Sequence, residues 1–153
     1  MTKDEFCELL RPLATDLTAV DIEDGKQVGD DLNETHPLDS ESLQKIRKEA
    51  IAGWKEGWLM PKEAGSVKFG RVAKDLQGFS VDAVLMSTPG PRHRHPNGEL
   101  DLCFAIDGTP KFDGQPEGWV CYPPDSTHIP TVTDGTMLIL YFLPGGEIEF
   151  LAD

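Results

Sequence analysis

Residues 91–108, PRHRHPNGELDLCFAIDG, decide how this chain is read. Side chains alternate faces along a strand, so His93 and His95, one residue apart, aim their imidazoles the same way. Pro96, Asn97 and Gly98 are turn chemistry, and they predict a reversal that brings Glu99 and Asp101 back alongside the histidines on a partner strand. Beyond the turn the alternation is strict. Leu100, Leu102, Phe104 and Ile106 share one face, while Glu99, Asp101, Cys103 and Ala105 share the other. The apolar face needs a cover, and the polar face needs water, a partner or a metal. His-X-His, a carboxylate and a third histidine, His128 in YPPDSTH, together make a donor set for a divalent cation, whether zinc, iron, manganese or nickel.

Downstream and immediately upstream of this stretch, Gly, Pro and Asp punctuate short runs rich in Val, Ile, Leu and Phe, the pattern of antiparallel β architecture. Strands are predicted at 66–72, 80–87, 92–95, 99–106, 118–122, 128–132, 137–142 and 147–151. That number of short strands implies a jelly roll or small barrel. The first part of the chain differs. Phe6, Leu9, Leu10, Leu13 and Leu17 recur at helical spacing over 4–17, with Pro12 as a kink or restart point. A second helix is predicted from Ser40, capped by Asp39 or Ser40, to about Gly57, with Leu43, Ile46, Ala50, Trp54 and Trp58 as its stripe. The acidic, turn-rich stretch 18–38 reads as a loop, and His36 within it as a surface or structural histidine. The helical stripes are packing surfaces for the apolar face of the sheet. These helices or a second subunit are the covers available to that face, and a homodimer is expected.

Composition narrows the function classes. At 153 residues the chain is read as one domain over 1–153, with a helical part over 1–60 and a β part over 61–153. Its 27 acidic against 14 basic residues leave a net charge of −13, which opposes nucleic-acid binding. No stretch approaches transmembrane length, and the N-terminus lacks the basic and apolar regions of a signal peptide, so a cytoplasmic protein is expected. Cys7, Cys103 and Cys121 are widely spaced and odd in number, which fits packing residues rather than a disulfide framework or thiolate ligands.

His93-X-His95, Glu99 and Gly108, followed by Gly118 and Pro123-X-Asp125-X-X-His128, resemble the two motifs of the cupin superfamily. The resemblance implies a cupin-like jelly-roll β-barrel with a metal held inside by His93, His95, Glu99 and His128. The spacing from His95 fits Glu99 and the spacing to Gly108 fits Asp101, so the carboxylate ligand stays open between the two. A narrower resemblance rests on HPNGELDLCFAIDG, YPPDSTHIPTVTDG and MLILYFLPGGEIEF, which are similar to the 4-hydroxylaminobenzoate lyase family of nitroaromatic degradation. That likeness implies conversion of 4-hydroxylaminobenzoate and water to 3,4-dihydroxybenzoate and ammonia.

For such a reaction a cation in the cage would polarise the departing N–O oxygen and activate a water. Glu99, Asp101 and His128 are the candidate catalytic residues, and whichever carboxylate is not a ligand is free for proton transfer. An aromatic acid substrate also needs a positive group and a flat apolar slot. Arg71 is preferred over Lys68, and over Arg92 and Arg94, which alternate with the histidines and should point outward. Phe69, Phe112, Trp119, Tyr122 and Phe142 are candidates to line the slot. Two other readings use the same residues: a metal-dependent dioxygenase or isomerase of another small molecule, and a non-catalytic small-molecule-binding barrel. Ammonia release without oxygen uptake separates the first reading from these.

Overall fold

The computed structural model describes residues 1–151. Three helices, α1 (Lys3–Leu17), α2 (Gly25–Thr35) and α3 (Glu41–Glu56), precede the strands. These are β1 (Lys62–Ala64), β2 (Val67–Leu76), β3 (Phe79–Met86), β4 (His93–His95), β5 (Glu99–Phe112), β6 (Gly118–Tyr122), β7 (Ser126–His128), β8 (Val132–Pro144) and β9 (Glu149–Phe150). Six strands form one sheet in the order β1-β2-β3-β8-β5-β6, and three form a smaller sheet in the order β7-β4-β9. The protein is mostly β, a cupin-like jelly roll carrying N-terminal helices. Among the described residues no helix is long and apolar enough to cross a membrane.

The large sheet is apolar on both faces, and each face has its own core. Leu100, Leu102 and Phe104 of β5 pack with Phe6, Leu10, Leu13, Leu43, Ile46 and Ala50 of α1 and α3. Cys103 packs on the opposite side with Phe112, Val120, Ile139 and Tyr141, toward the smaller sheet. The parity read along β5 therefore holds, and the chain's own helices supply the apolar cover. Each large side chain buried this way contributes about 1.5–3 kcal/mol, which makes a one-residue slip of β5 prohibitive.

Local signals explain the ends of α1 and α3. Thr2 and Glu5 close a capping box at the start of α1, Ser40 accepts from the Leu43 amide at 3.3 Å, and Gly57 ends α3 in a left-handed conformation. Pro12 does not restart α1. It lies inside a continuous helix, and the carbonyl it leaves without a donor belongs to the exposed Glu8.

The helix count needs correcting from two to three, because α2 occupies part of the stretch read as a loop. Asp24 caps it, accepting from the Gln27 amide at 3.1 Å. Its buried face is Gly25, Val28, Gly29 and Leu32, half of it glycine. A Cβ on Gly25 would stand 2.6 Å from the Cys121 carbonyl oxygen, and one on Gly29 would stand 3.3 Å from that of Trp119. Close approach of helix and strand backbones requires the glycines, and they erase the apolar periodicity by which a helix is recognised. Segment ends also shift. β5 and β8 outrun their predicted ends because paired bulges carry their ladder on to Phe112 and Val132, whereas β7 stops at His128, ahead of Pro130.

Candidate metal centre

β4 is three residues long and pairs with β7 in a register that sets His93 opposite His128 and His95 opposite Ser126. His93 and His95 point inward and are buried. Arg94, between them, points out to ion pairs with Asp125 and Glu149, as alternation requires.

The 96–98 turn does not build the hairpin that its composition predicts. β4 pairs with β7 and β9, whereas β5 belongs to the larger sheet between β8 and β6. The turn carries the chain from one sheet to the other, so Glu99 meets the histidines across the barrel interior instead of beside them. Gly98, at φ 89°, allows that crossing: a Cβ there would lie 2.3 Å from Ile22 Cδ1.

Glu99 is fully buried, with Oε2 at 2.5 Å from His95 Nε2 and 3.5 Å from both His93 Nε2 and His128 Nε2. The Nε2 atoms of His93 and His128 stand 3.0 Å apart. One donor atom from each of the four residues falls within a sphere of 4.8 Å mutual distances. Asp101 lies on the same face of β5 but outside this group, so Glu99 is the carboxylate that converges with the imidazoles.

Outer contacts orient the rings. Ser126 Oγ donates to the Pro123 carbonyl at 2.6 Å, which leaves it to accept from His95 Nδ1 at 2.8 Å. A neutral His95 then has only a lone pair at Nε2 to face the carboxylate oxygen, and a proton or a cation between them turns the contact favourable. Both carboxylate oxygens of Glu99 and His95 Nε2 lack any other hydrogen-bond partner. Such a pair is stable only with positive charge between its members. Burial alone would raise Glu99, but the imidazoles of His128, His93 and His95 overcome it and hold its carboxyl below the usual range. His128 is pulled down by burial, yet Asp113 and Glu99 outweigh that and raise it to about 9. The donor set of three imidazole nitrogens and one carboxylate oxygen fits a divalent transition metal. Burial, and then Glu99, push the unpartnered carboxyl of Asp101 well above its ordinary value.

A cavity of about 660 Å³ opens onto His93 between β1–β3 of the large sheet and β9 of the small one. Arg71 lines it, with Nε donating to Asp82 Oδ1 at 2.9 Å; Phe69, Met86, Tyr141 and Phe150 supply apolar and aromatic surface, and Lys62 rather than Lys68 supplies the second cation. Tyr122 and Phe112 border the histidines from the other side. The Tyr122 ring lies 5.2 Å from His95 and 4.1 Å from His128, and the Phe112 ring 6.0 Å from His128. Trp119 does not join them. It projects from the opposite face of β6, donating its indole N–H to the His36 carbonyl at 3.0 Å and packing 6.2 Å from Phe142 under the helices. Phe142 sits on that face as well.

Two residues that the motifs do not single out complete the surroundings, Ser126 and Asp113. Asp113 Oδ2 accepts from His128 Nδ1 at 2.5 Å and from the Tyr122 hydroxyl. Its only mark in the sequence is an Asp-Gly turn signal, which says nothing of what its carboxylate meets.

Residues 13–150 match the family described as 4-hydroxylaminobenzoate lyase (PnbB). The chain is 31% identical over 140 residues to the 4-hydroxylaminobenzoate lyase of Pseudomonas putida, covering 78% of this chain and 80% of that one. It is 27% identical over 132 residues to a protein of the same name from a Nocardioides strain, covering 78% of each. In architecture it is similar to the crystal structure of DMSP lyase DddQ from Ruegeria pomeroyi, with a TM-score of 0.53, 15% identity and 97% of each chain covered, a likeness of fold alone.

Proposed function

The chain belongs to the 4-hydroxylaminobenzoate lyase family, and on that footing we propose that it is a metal-dependent lyase converting 4-hydroxylaminobenzoate and water to 3,4-dihydroxybenzoate and ammonia. The observation that carries the reading is the convergence of His93, His95, His128 and Glu99 beside a cavity that His93 and Arg71 both line. The reaction balances without an outside oxidant. The N–O, C–N and one ring C–H bond break and two ring C–O bonds form, nitrogen is reduced to ammonia as the ring is oxidised, and the two phenolic oxygens balance the hydroxylamino oxygen and one water.

His93, His95, Glu99 and His128 would hold the cation, which supplies Lewis-acid polarisation of an oxygen at that point. The remaining work falls to the chain. Arg71 meets the ring carboxylate with the guanidinium edge that Asp82 leaves free, which fixes the substrate's direction in the cavity. The apolar walls formed by Met86, Tyr141 and Leu143 exclude bulk water from the reacting carbon. Asp101, next on the inner face to Glu99, would be the group that carries a proton between substrate and leaving group.

Incubation of the purified protein with 4-hydroxylaminobenzoate under anaerobic conditions tests this reading. The expected result is one ammonia per substrate consumed, lost after chelation and restored by one equivalent of a divalent metal per chain. Turnover that requires oxygen, or that survives complete removal of metal, overturns it.

A further inference from the structure

We propose that Asp113 is a positioning residue for the metal centre: its carboxylate holds His128 in the Nδ1–H tautomer so that Nε2 faces Glu99 and His93. This rests on the metal-dependent reading above and assigns a task to a residue outside the ligand set. His128 is the ligand most in need of such a hold. Its side chain is 11% exposed, against 0–4% for the other three, and it ends a three-residue strand whose continuation, 129–131, belongs to no strand.

Asp113 itself is anchored by backbone. It sits at φ 50° in the 112–115 turn, which Phe112 and Gln115 close with reciprocal amide-to-carbonyl bonds of 2.7 and 2.9 Å. A turn of this shape accepts Asn or Gly equally well, so turn geometry alone does not call for a carboxylate. What calls for one is the convergence of three donors. The Thr131 amide reaches Oδ1 at 2.8 Å, while His128 Nδ1 and the Tyr122 hydroxyl both reach Oδ2. Oδ1 thus ties the turn to the segment after His128, and Oδ2 orients the ring. Tyr122 completes the hold by lying against the imidazole faces of His95 and His128. Without Oδ2, a half-turn about the Cβ–Cγ bond would put Cε1 where Nε2 stands and Cδ2 where Nδ1 stands, and the lone pair would leave the centre.

Asp113→Asn separates these two tasks. The amide oxygen still accepts from Thr131, whereas the amide nitrogen cannot accept from His128 or Tyr122. Measured by Co(II) titration followed in the visible spectrum, with zinc competition, the variant is expected to bind metal about 10–100-fold more weakly than the unaltered protein. It is also expected to show an altered Co(II) band at saturation and a metal-free melting temperature close to the original. Tyr122→Phe, which leaves the His128–Asp113 bond in place, is expected to show a smaller loss of affinity. Unchanged affinity and an unchanged Co(II) spectrum in Asp113→Asn overturn the inference alone. Failure of the unaltered protein to bind Co(II) or zinc overturns the metal-dependent reading and this inference with it. If Asp113→Asn does not fold, Asp113→Ser serves in its place, read by the same two measurements.

Discussion

His95 and Glu99 are four positions apart in the chain yet belong to different sheets, and their Nε2 and Oε2 atoms face each other at 2.5 Å across the barrel. Because Ser126 takes the other ring nitrogen of His95, Nε2 of the neutral ring faces the carboxylate with a lone pair. The centre is therefore a buried donor set suited to positive charge.

Glu99 and Asp101 share one face of β5 but should behave differently when neutralised. Glu99→Gln removes the anionic donor and replaces it with an amide that coordinates weakly; metal content and turnover are both expected to fall more than about 100-fold, beyond the range for residues that only support a ligand. Asp101→Asn should keep stoichiometric metal while losing about 10²–10⁴ in turnover, the usual span for a group that transfers a proton. Elemental analysis of the two variants beside their rates checks the distinction. Metal loss in Asp101→Asn would return the ligand role to that residue.

Arg71 lies in the cavity at a distance from the ligand group, so its loss should affect recognition rather than metal. Arg71→Met removes a charge-assisted hydrogen bond worth about 1.5–3 kcal/mol. KM for 4-hydroxylaminobenzoate is therefore expected to rise about ten- to a hundredfold, with metal content unchanged. For hydroxylaminobenzene, which lacks the carboxylate, the same substitution should leave kcat/KM almost unaltered. An equal effect on both compounds would remove Arg71 from carboxylate recognition.

Trp119 tests the two-faced character of β6. Its indole bonds to His36 under the helices, on the side away from the histidine cluster. Trp119→Phe is expected to cost about 1–3 kcal/mol in urea unfolding, from the lost N–H bond and the cavity left behind. KM should not change. A raised KM with unchanged stability would place the indole's influence in the substrate cavity.

Gly25 and Gly29 set how closely α2 approaches β6. A methyl group at Gly25 would meet the Cys121 carbonyl at 2.6 Å and Pro123 Cδ at 2.8 Å, contacts that backbone cannot relieve cheaply. Gly25→Ala is expected to destabilise by about 1–3 kcal/mol. At Gly29 the nearest contact is 3.3 Å, and the gain in helix propensity of about 1 kcal/mol should offset most of the crowding. Denaturant midpoints of the two variants should therefore differ clearly, with Gly25→Ala the lower.

Several features were legible in residue order alone. The jelly-roll class, α1, α3, the inward aim of His93 and His95 and the outward aim of Arg94 all follow from the pleat of a strand or the pitch of a helix, which act over a few residues. The two faces of β5 belong here as well, since Leu100, Leu102 and Phe104 are apolar enough to choose their own side. Tertiary structure decided the rest, because the rest depends on which strand pairs with which. The 96–98 turn has the same composition whether it closes a hairpin or crosses between sheets, and only the pairing of β5 with β6 and β8 makes it a crossing. That crossing brings Glu99, rather than Asp101, to the imidazoles. α2 was hidden because close backbone contact with β6 requires glycine where a free-standing amphipathic helix would carry leucine. Asp113 and His128, fifteen positions apart, come together only because β5 and β6 fold back on each other and the β7 register sets His128 opposite His93.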